Sequence, residues 1–189
     1  MDLTNFLKSR GFQEFEGNSH QIVRQGQELI ALSKGRVNAM EIGFNAGHSA
    51  DTFLHYNTEL RLTSFDLGEH PYVLTAKEYI DKTYPNRHTL VLGNSTLTVP
   101  LSTDKFDLIF IDGGHDYEIA QADISNCMKL ADKDTLVIID DTIYTRGWEA
   151  GWTLGPTRAW IDRLCNGSIR GLGRSEYCPG RGMSWGKFI

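Results

Sequence analysis

Four residues in the second half of the chain have the chemistry to work on a bound molecule. Asp112 closes the apolar run FDLIFID, Asp140 and Asp141 close TLVIIDD, and His115 follows Asp112 after two glycines. An imidazole titrates near neutrality, so His115 suits the role of general base toward a reacting hydroxyl. Its alternative is packing against, or capping, the helix that begins near Tyr117. Carboxylates on neighbouring parallel strands, about 4.8 Å apart, would converge at one edge of a sheet. They repel one another unless protons or a cation intervene. Oxygen-only ligands suit Mg²⁺ or Mn²⁺, and such an ion would lower the pKa of a bound hydroxyl. Asp112, Asp140 and Asp141 are therefore candidate metal ligands.

A second constellation lies in VNAMEIGFNAGHSADTFL (37–54). An apolar run ends near Glu41, Gly43-Phe44-Asn45-Ala46-Gly47 makes a turn, and Ser49 stands near the start of a helix. Glycines let the backbone turn sharply and let a ligand approach the main chain. The dinucleotide fingerprint requires G-x-G-x-x-G. Here Asn45 replaces the second glycine and position 50 is Ala, so the turn alone is equally a plain tight turn. Asp66 ends the next apolar run, about 20 residues further on, where a carboxylate accepts hydrogen bonds from ribose hydroxyls. With Glu41 and Gly43, it favours nucleotide-like binding over a solvent-facing turn. A third group, Tyr144, Arg146, Trp148 and Trp152 in TIYTRGWEAGWTLGPTR (142–158), follows the last long apolar run. Aromatic faces there suit a sugar ring or a planar acceptor; otherwise one Trp is core and the rest is a surface loop. Trp160 and Trp185 are expected in the core. His20, His48, His55, His70 and His88 show no metal-ligand spacing, and His48 reads as a helix-start residue.

These groups need elements to position them. Short β-rich runs occupy 36–43, 61–67, 88–94, 106–113 and 134–141. Helical patterns fill 20–35, 48–57, 73–84 and 117–131, the first with Asn18 or Ser19 as N-cap and Gly35 as stop. Such alternation implies right-handed βαβ units and a parallel sheet. The almost wholly apolar LIFID and LVIID fit strands buried on both faces. A helix over 156–165, with Pro156 in its first turn, and two strands in a closing hairpin complete the pattern. The expected fold is α/β: a Rossmann-like, doubly wound seven-stranded sheet, mostly parallel, with a C-terminal antiparallel hairpin and helices on both faces. An open sheet of this kind binds ligands beyond the carboxyl ends of its strands, which places every motif above on one edge.

The chain has 189 residues, 40% of them hydrophobic and 23% charged, and this length and composition fit one globular domain. Within it, 1–35 is an N-terminal helical segment, 36–141 a cofactor-binding core, 142–155 an acceptor-side loop and 156–189 a closing helix and hairpin. The net charge of −5 and the lack of a Lys/Arg cluster disfavour nucleic acid as partner. Three cysteines without paired spacing read as reduced thiols in a cytoplasmic protein. The N-terminus is neither a signal peptide nor a membrane span, so no membrane partner is expected.

The ordered motifs resemble those of class I S-adenosylmethionine-dependent methyltransferases over nearly the whole chain. EIGFNAG resembles the family's E/D-x-G-x-G-x-G turn, SFDL its ribose acid, LGNS (92–95) its adenine-side loop, and IFIDGGHDYE (110–118) the loop after its fourth strand. FIDG-x-H-x-Y is typical of a branch of small-molecule and sugar O-methyltransferases, several of them metal dependent. HQIVRQGQEL (20–29) is similar to that branch's helix before the first strand. The resemblance implies cofactor binding by Glu41, Gly43, Phe44, Asn45, Gly47, Ser49, Asp66, Asn94, Ser95 and Asp112. It implies metal binding by Asp112, Asp140 and Asp141, or else Asp112 at the methionine end of the cofactor and Asp141 as a turn cap. It implies catalysis by His115 and Asp112; acceptor binding by Tyr144, Arg146 and Trp148 is expected from their place after the fifth strand. The departure, Asn45 for the middle glycine, bears only on local backbone geometry. The expected reaction is methyl transfer to a hydroxyl of a small molecule or glycan, a sugar favoured, with S-adenosylmethionine and Mg²⁺ or Mn²⁺. The rival readings are a nicotinamide-dependent oxidoreductase and a non-catalytic cofactor-binding protein. Base methylation of nucleic acid lacks its N/D-P-P-Y run; a peptide acceptor and a second subunit completing the site stay open.

Overall fold

The two apolar runs that end in the acids form the most deeply buried strands. Phe106, Leu108, Ile109, Phe110 and Ile111, and facing them Leu136, Val137, Ile138 and Ile139, are all 5% exposed or less. A strand buried on both faces has no solvent side on which polar alternation could appear. The structure, a computed structural model, describes residues 1–16 and 21–189.

Along the chain lie α1 (Leu3–Ser9), α2 (Val23–Ser33), β1 (Asn38–Ile42), α3 (His48–Tyr56), β2 (Arg61–Asp66), α4 (Val73–Thr83) and β3 (His88–Leu92). There follow α5 (Ser95–Thr98), β4 (Phe106–Ile111), α6 (Tyr117–Met128), β5 (Ala131–Asp140), α7 (Leu154–Cys165), β6 (Ile169–Cys178) and β7 (Arg181–Phe188). The seven strands form one sheet in the order β3-β2-β1-β4-β5-β7-β6. This is the expected Rossmann-like sheet, parallel except for its C-terminal hairpin.

The chain clusters into two compact units, Met1–Asn94 and Ser95–Ile189. In the first, β1 pairs with β2 and β2 with β3, all parallel. Asp2 caps α1 by accepting the Asn5 amide at 2.8 Å. Leu3 and Leu7, one helical turn apart, are the buried side of that helix. In the second, β4 and β5 are parallel with Ile111 opposite Ile139, and β5–β7 and β7–β6 are antiparallel. The β4–β5 register sets Asp112, just past the end of β4, beside Asp140, the last residue of β5.

Some boundaries differ from the sequence expectation. α2 starts at Val23 with Ile22 at its N-cap and no side-chain cap; Asn18 and Ser19 lie outside the described residues. Gly35, with φ +76°, does stop that helix. α6 ends three residues early, because the Leu130 amide turns back onto the Cys127 carbonyl and Ala131 already pairs with Phe106. α1 falls within the expected N-terminal helical segment, whereas α5 is additional to the expected elements. Trp160 is buried, whereas Trp185 is only half-buried. The three cysteines are unpaired. Among the described residues no helix is long and apolar enough to cross a membrane.

Candidate active site

In the first unit the turn after β1 is organised by two carboxylates. Asp66, ending β2, accepts the amides of Phe44 and Asn45 on Oδ2 (3.0 and 2.8 Å) and that of Gly68 on Oδ1 (2.7 Å). The carboxylate expected on the ribose thus also shapes the turn. Gly47, at φ +79°, is the N-cap of α3, a left-handed position that glycine occupies without strain. Asn45 takes φ +50°, which asparagine tolerates, so the turn closes without the family's middle glycine. Its Oδ1 is buried without a partner and can receive a donor. Such a turn, with amides and an acid held in place, fits a nucleoside ligand.

Glu41 lies beneath, fully buried. Ser64 and Ser49 donate to it at 2.6 and 2.7 Å. Burial pushes its carboxyl up to about 7, against the lowering effect of those two hydrogen bonds. Ser64 also meets His88 Nε2 at 2.7 Å. Since the Ser64 proton goes to Glu41, the ring N–H donates to Ser64, and burial holds His88 down at about 4. Phe44 stacks on this ring with centroids 5.0 Å apart. Glu41 and Ser49 therefore support the turn from below. Asn94 is exposed and Ser95 opens α5.

In the second unit, Asp112, His115, Asp140 and Asp141 line one pocket with Gly113, Gly114 and Pro156. His115 Nε2 meets Asp141 Oδ2 at 3.0 Å, with His115 45% exposed and Asp141 8%. Asp141 adopts φ +56°, turning out of the line of β5. Its Oδ1 is buried and unpartnered. A buried acceptor with no donor is costly, so this oxygen is set up for a donor brought by a ligand. Gly155 of α7 lies against the 115–117 backbone; a Cβ there would collide with the His115 carbonyl. The absent side chain lets α7 press the histidine loop into place.

The three-carboxylate metal expectation is not met. Among the described residues no group of three or more His, Cys, Asp or Glu side chains is arranged to hold a metal ion. Asp141 is turned to His115, and Asp112 and Asp140 have partners of their own. The donor set does not fit Mg²⁺ or Mn²⁺.

The loop after β5 is tied to the hairpin. The Tyr144 and Thr145 amides donate to Glu176 at 3.1 and 3.0 Å, and Arg174 covers the Tyr144 ring at 4.2 Å. The Trp148 carbonyl accepts the Gly180 amide at 2.7 Å, and Trp152 Nε1 donates to the Gly180 carbonyl. Trp148 is half-buried and Arg146 exposed. Glu176, Arg174 and the link from Glu41 through Ser64 to His88 have no signature in the sequence. The His115–Asp141 pair had one signal: both residues follow neighbouring strands.

Crystal structures of similar fold come from several organisms. The crystal structure of an O-methyltransferase from Bacillus cereus with SAH superposes with a TM-score of 0.73 at 16% identity, covering 99% of this chain and 89% of that one. TomG, an O-methyltransferase from Streptomyces achromogenes in complex with SAM, gives 0.71 at 14%, covering 99% and 87%. SAH-bound methyltransferase PaMTH1 from Podospora anserina gives 0.69 at 17%, covering 87% and 78%. No curated protein sequence matches. The profile of the methyltransferase-domain family matches residues 40–142, more than half of the chain, from β1 through the Asp140–Asp141 pair, and the chain belongs to that family.

Proposed function

We propose that this protein transfers a methyl group from S-adenosylmethionine to a hydroxyl of a small molecule or glycan, a sugar favoured, with His115 as general base and Asp141 as its positioning residue. The observation that carries the reading is the 3.0 Å His115–Asp141 pair in the pocket shared with Asp112 and Asp140. The family supports methyl transfer. The cofactor is supported by the SAH and SAM complexes of the Bacillus and Streptomyces neighbours, and oxygen as acceptor atom by their names.

The sulfonium supplies an already activated methyl group. What the protein adds is alignment of the acceptor and removal of its proton. As the acceptor oxygen bonds to the methyl carbon and the carbon–sulfur bond breaks, the hydroxyl proton passes to the His115 imidazole. The Asp141 carboxylate fixes the ring and steadies the imidazolium that forms, and its Oδ1 can accept from the acceptor. In the first unit, Gly43 to Gly47 and Asp66 would hold the ribose side of the cofactor, Glu41 and Ser49 supporting the turn. Asn94 and Ser95 are assigned to the adenine and Asp112 to the methionine end. Tyr144, Arg146 and Trp148 are assigned to the acceptor; sugar is favoured by the aromatic loop and by the FIDG-x-H-x-Y resemblance.

The test is calorimetric titration with S-adenosylhomocysteine, NAD as control, followed by methyl transfer to a panel of sugars and phenols. Saturable binding of S-adenosylhomocysteine alone and transfer to a hydroxyl are expected. NAD binding instead would point to the oxidoreductase. His115→Gln is expected to lower kcat by about 10² or more while leaving S-adenosylhomocysteine affinity unchanged; full activity would end the base assignment. EDTA is expected to leave turnover unchanged, since no step runs through a metal.

A further inference from the structure

Asn45 stands where the family's turn has a glycine, and its side chain reaches outside the turn. Its Nδ2 donates to the Glu16 carbonyl at 2.5 Å. Glu16 is held twice more, by the loop after β2: its amide donates to the Tyr72 hydroxyl at 3.2 Å, and its carboxylate meets His70 Nε2 at 2.7 Å. His70 in turn stacks on Tyr72, rings 6° from parallel with centroids 5.0 Å apart. The residues just before Glu16 are seated by aromatic contacts. Phe15 packs edge-on against His48 and Tyr72 at 5.8 and 5.5 Å, and Phe12 against Tyr72 at 6.1 Å. Thr4 of α1 contacts His48 at 3.1 Å.

Residues 12–16 are thus fastened to the loops after both β1 and β2. Between those loops β2 ends in Asp66, whose carboxylate organises amides of both. Asn45 is common to both sets of contacts: its backbone amide is held by Asp66 and its side chain holds Glu16. A ligand that draws Asp66 toward itself acts on the residue that fastens the segment. The fastenings are individually weak. The Glu16–His70 pair is solvent exposed, with side chains 71% and 40% accessible, where ion pairs contribute little. A segment held by a few such contacts opens more readily than the core.

We propose that residues 12–16 are a further part of the cofactor site, a strap latched by Asn45 that must open for the cofactor to enter and leave. The proposal rests on the reading that the Glu41–Gly47 turn holds S-adenosylmethionine. It gives Asn45 a role that a glycine cannot fill, and makes Glu16, His70 and Tyr72 positioning residues for that site.

The variant Asn45→Gly keeps the positive φ without strain and removes the latch, so the fold is expected to persist. Two measurements are made on the full chain. Hydrogen exchange of the ligand-free protein should show the Glu16 amide exchanging at least fivefold faster in the variant. Stopped-flow binding of S-adenosylhomocysteine should show association and dissociation rates both rising at least threefold, with Kd moving less than either rate. Glu16→Ala, which removes only the His70 contact, should show the same pattern at smaller size. Unchanged exchange would overturn the latch whether or not the cofactor binds. Faster exchange with an altered dissociation rate alone would make Asn45 an ordinary ligand contact and overturn the gate. Wild-type protein that binds no S-adenosylhomocysteine would remove the cofactor reading, and the gate with it, while the exchange result would still stand by itself.

Discussion

Glu41 and His88 titrate in opposite senses on either side of one serine. The Glu41 carboxyl is raised from 4.5 to about 7. Between those values the folded protein holds a proton that the unfolded chain has lost, so its contribution to stability falls as pH rises through that window. His88 is lowered from 6.5 to about 4. It contributes fully above 6.5, and that contribution is lost as pH falls toward 4. The two slopes oppose each other where the windows overlap, which flattens the wild-type profile. Glu41→Gln removes the falling component, worth roughly 3 kcal/mol at full swing. Relative to wild type, its Tm should therefore rise steadily from about pH 4.5 to 7 in thermal melts at several pH values. A constant difference across that range would mean that Glu41 titrates normally.

Gly155 is where one element sets the position of another. Adding a methyl forces α7 away from the His115–Tyr117 backbone, and overpacking of this kind costs about 1–3 kcal/mol. Gly155→Ala is expected to lower Tm by several degrees and kcat with it, while S-adenosylhomocysteine affinity, assigned to other residues, stays within a factor of two. Retained kcat would separate the histidine loop from catalysis. At this scale the sequence was informative wherever periodicity had a single cause. Residues 106–111 and 136–140 read as strands because both faces are buried, and Asp112, Asp140 and Asp141 were legible as acids just beyond neighbouring strands. The short helices α1 and α5 offered too few turns to show a period. The orientation of the acids was not legible either. Asp141 leaves the strand line through a positive φ and turns to His115, whereas three converging carboxylates had suggested a metal. The contacts of Glu16 and His88 join residues far apart in the chain and leave no local pattern.

Across the molecule, protection should follow burial rather than order in the chain. The β4 and β5 cores are shielded on both faces, whereas in β3, at the sheet edge, only His88 is buried and the rest is half-buried or exposed. Native-state hydrogen exchange should be slowest at Leu108–Ile111 and Leu136–Ile139 and distinctly faster at Thr89–Leu92; the reverse order would contradict this sheet arrangement. The division into two compact units has a spectroscopic consequence. The four tryptophans, at 148, 152, 160 and 185, all belong to Ser95–Ile189, and Met1–Asn94 contains none. Tryptophan emission therefore watches the half that bears His115 and Asp141. The turn that carries Asn45 has no tryptophan of its own, and a denaturation curve followed by fluorescence reads that turn only so far as it unfolds together with the second unit.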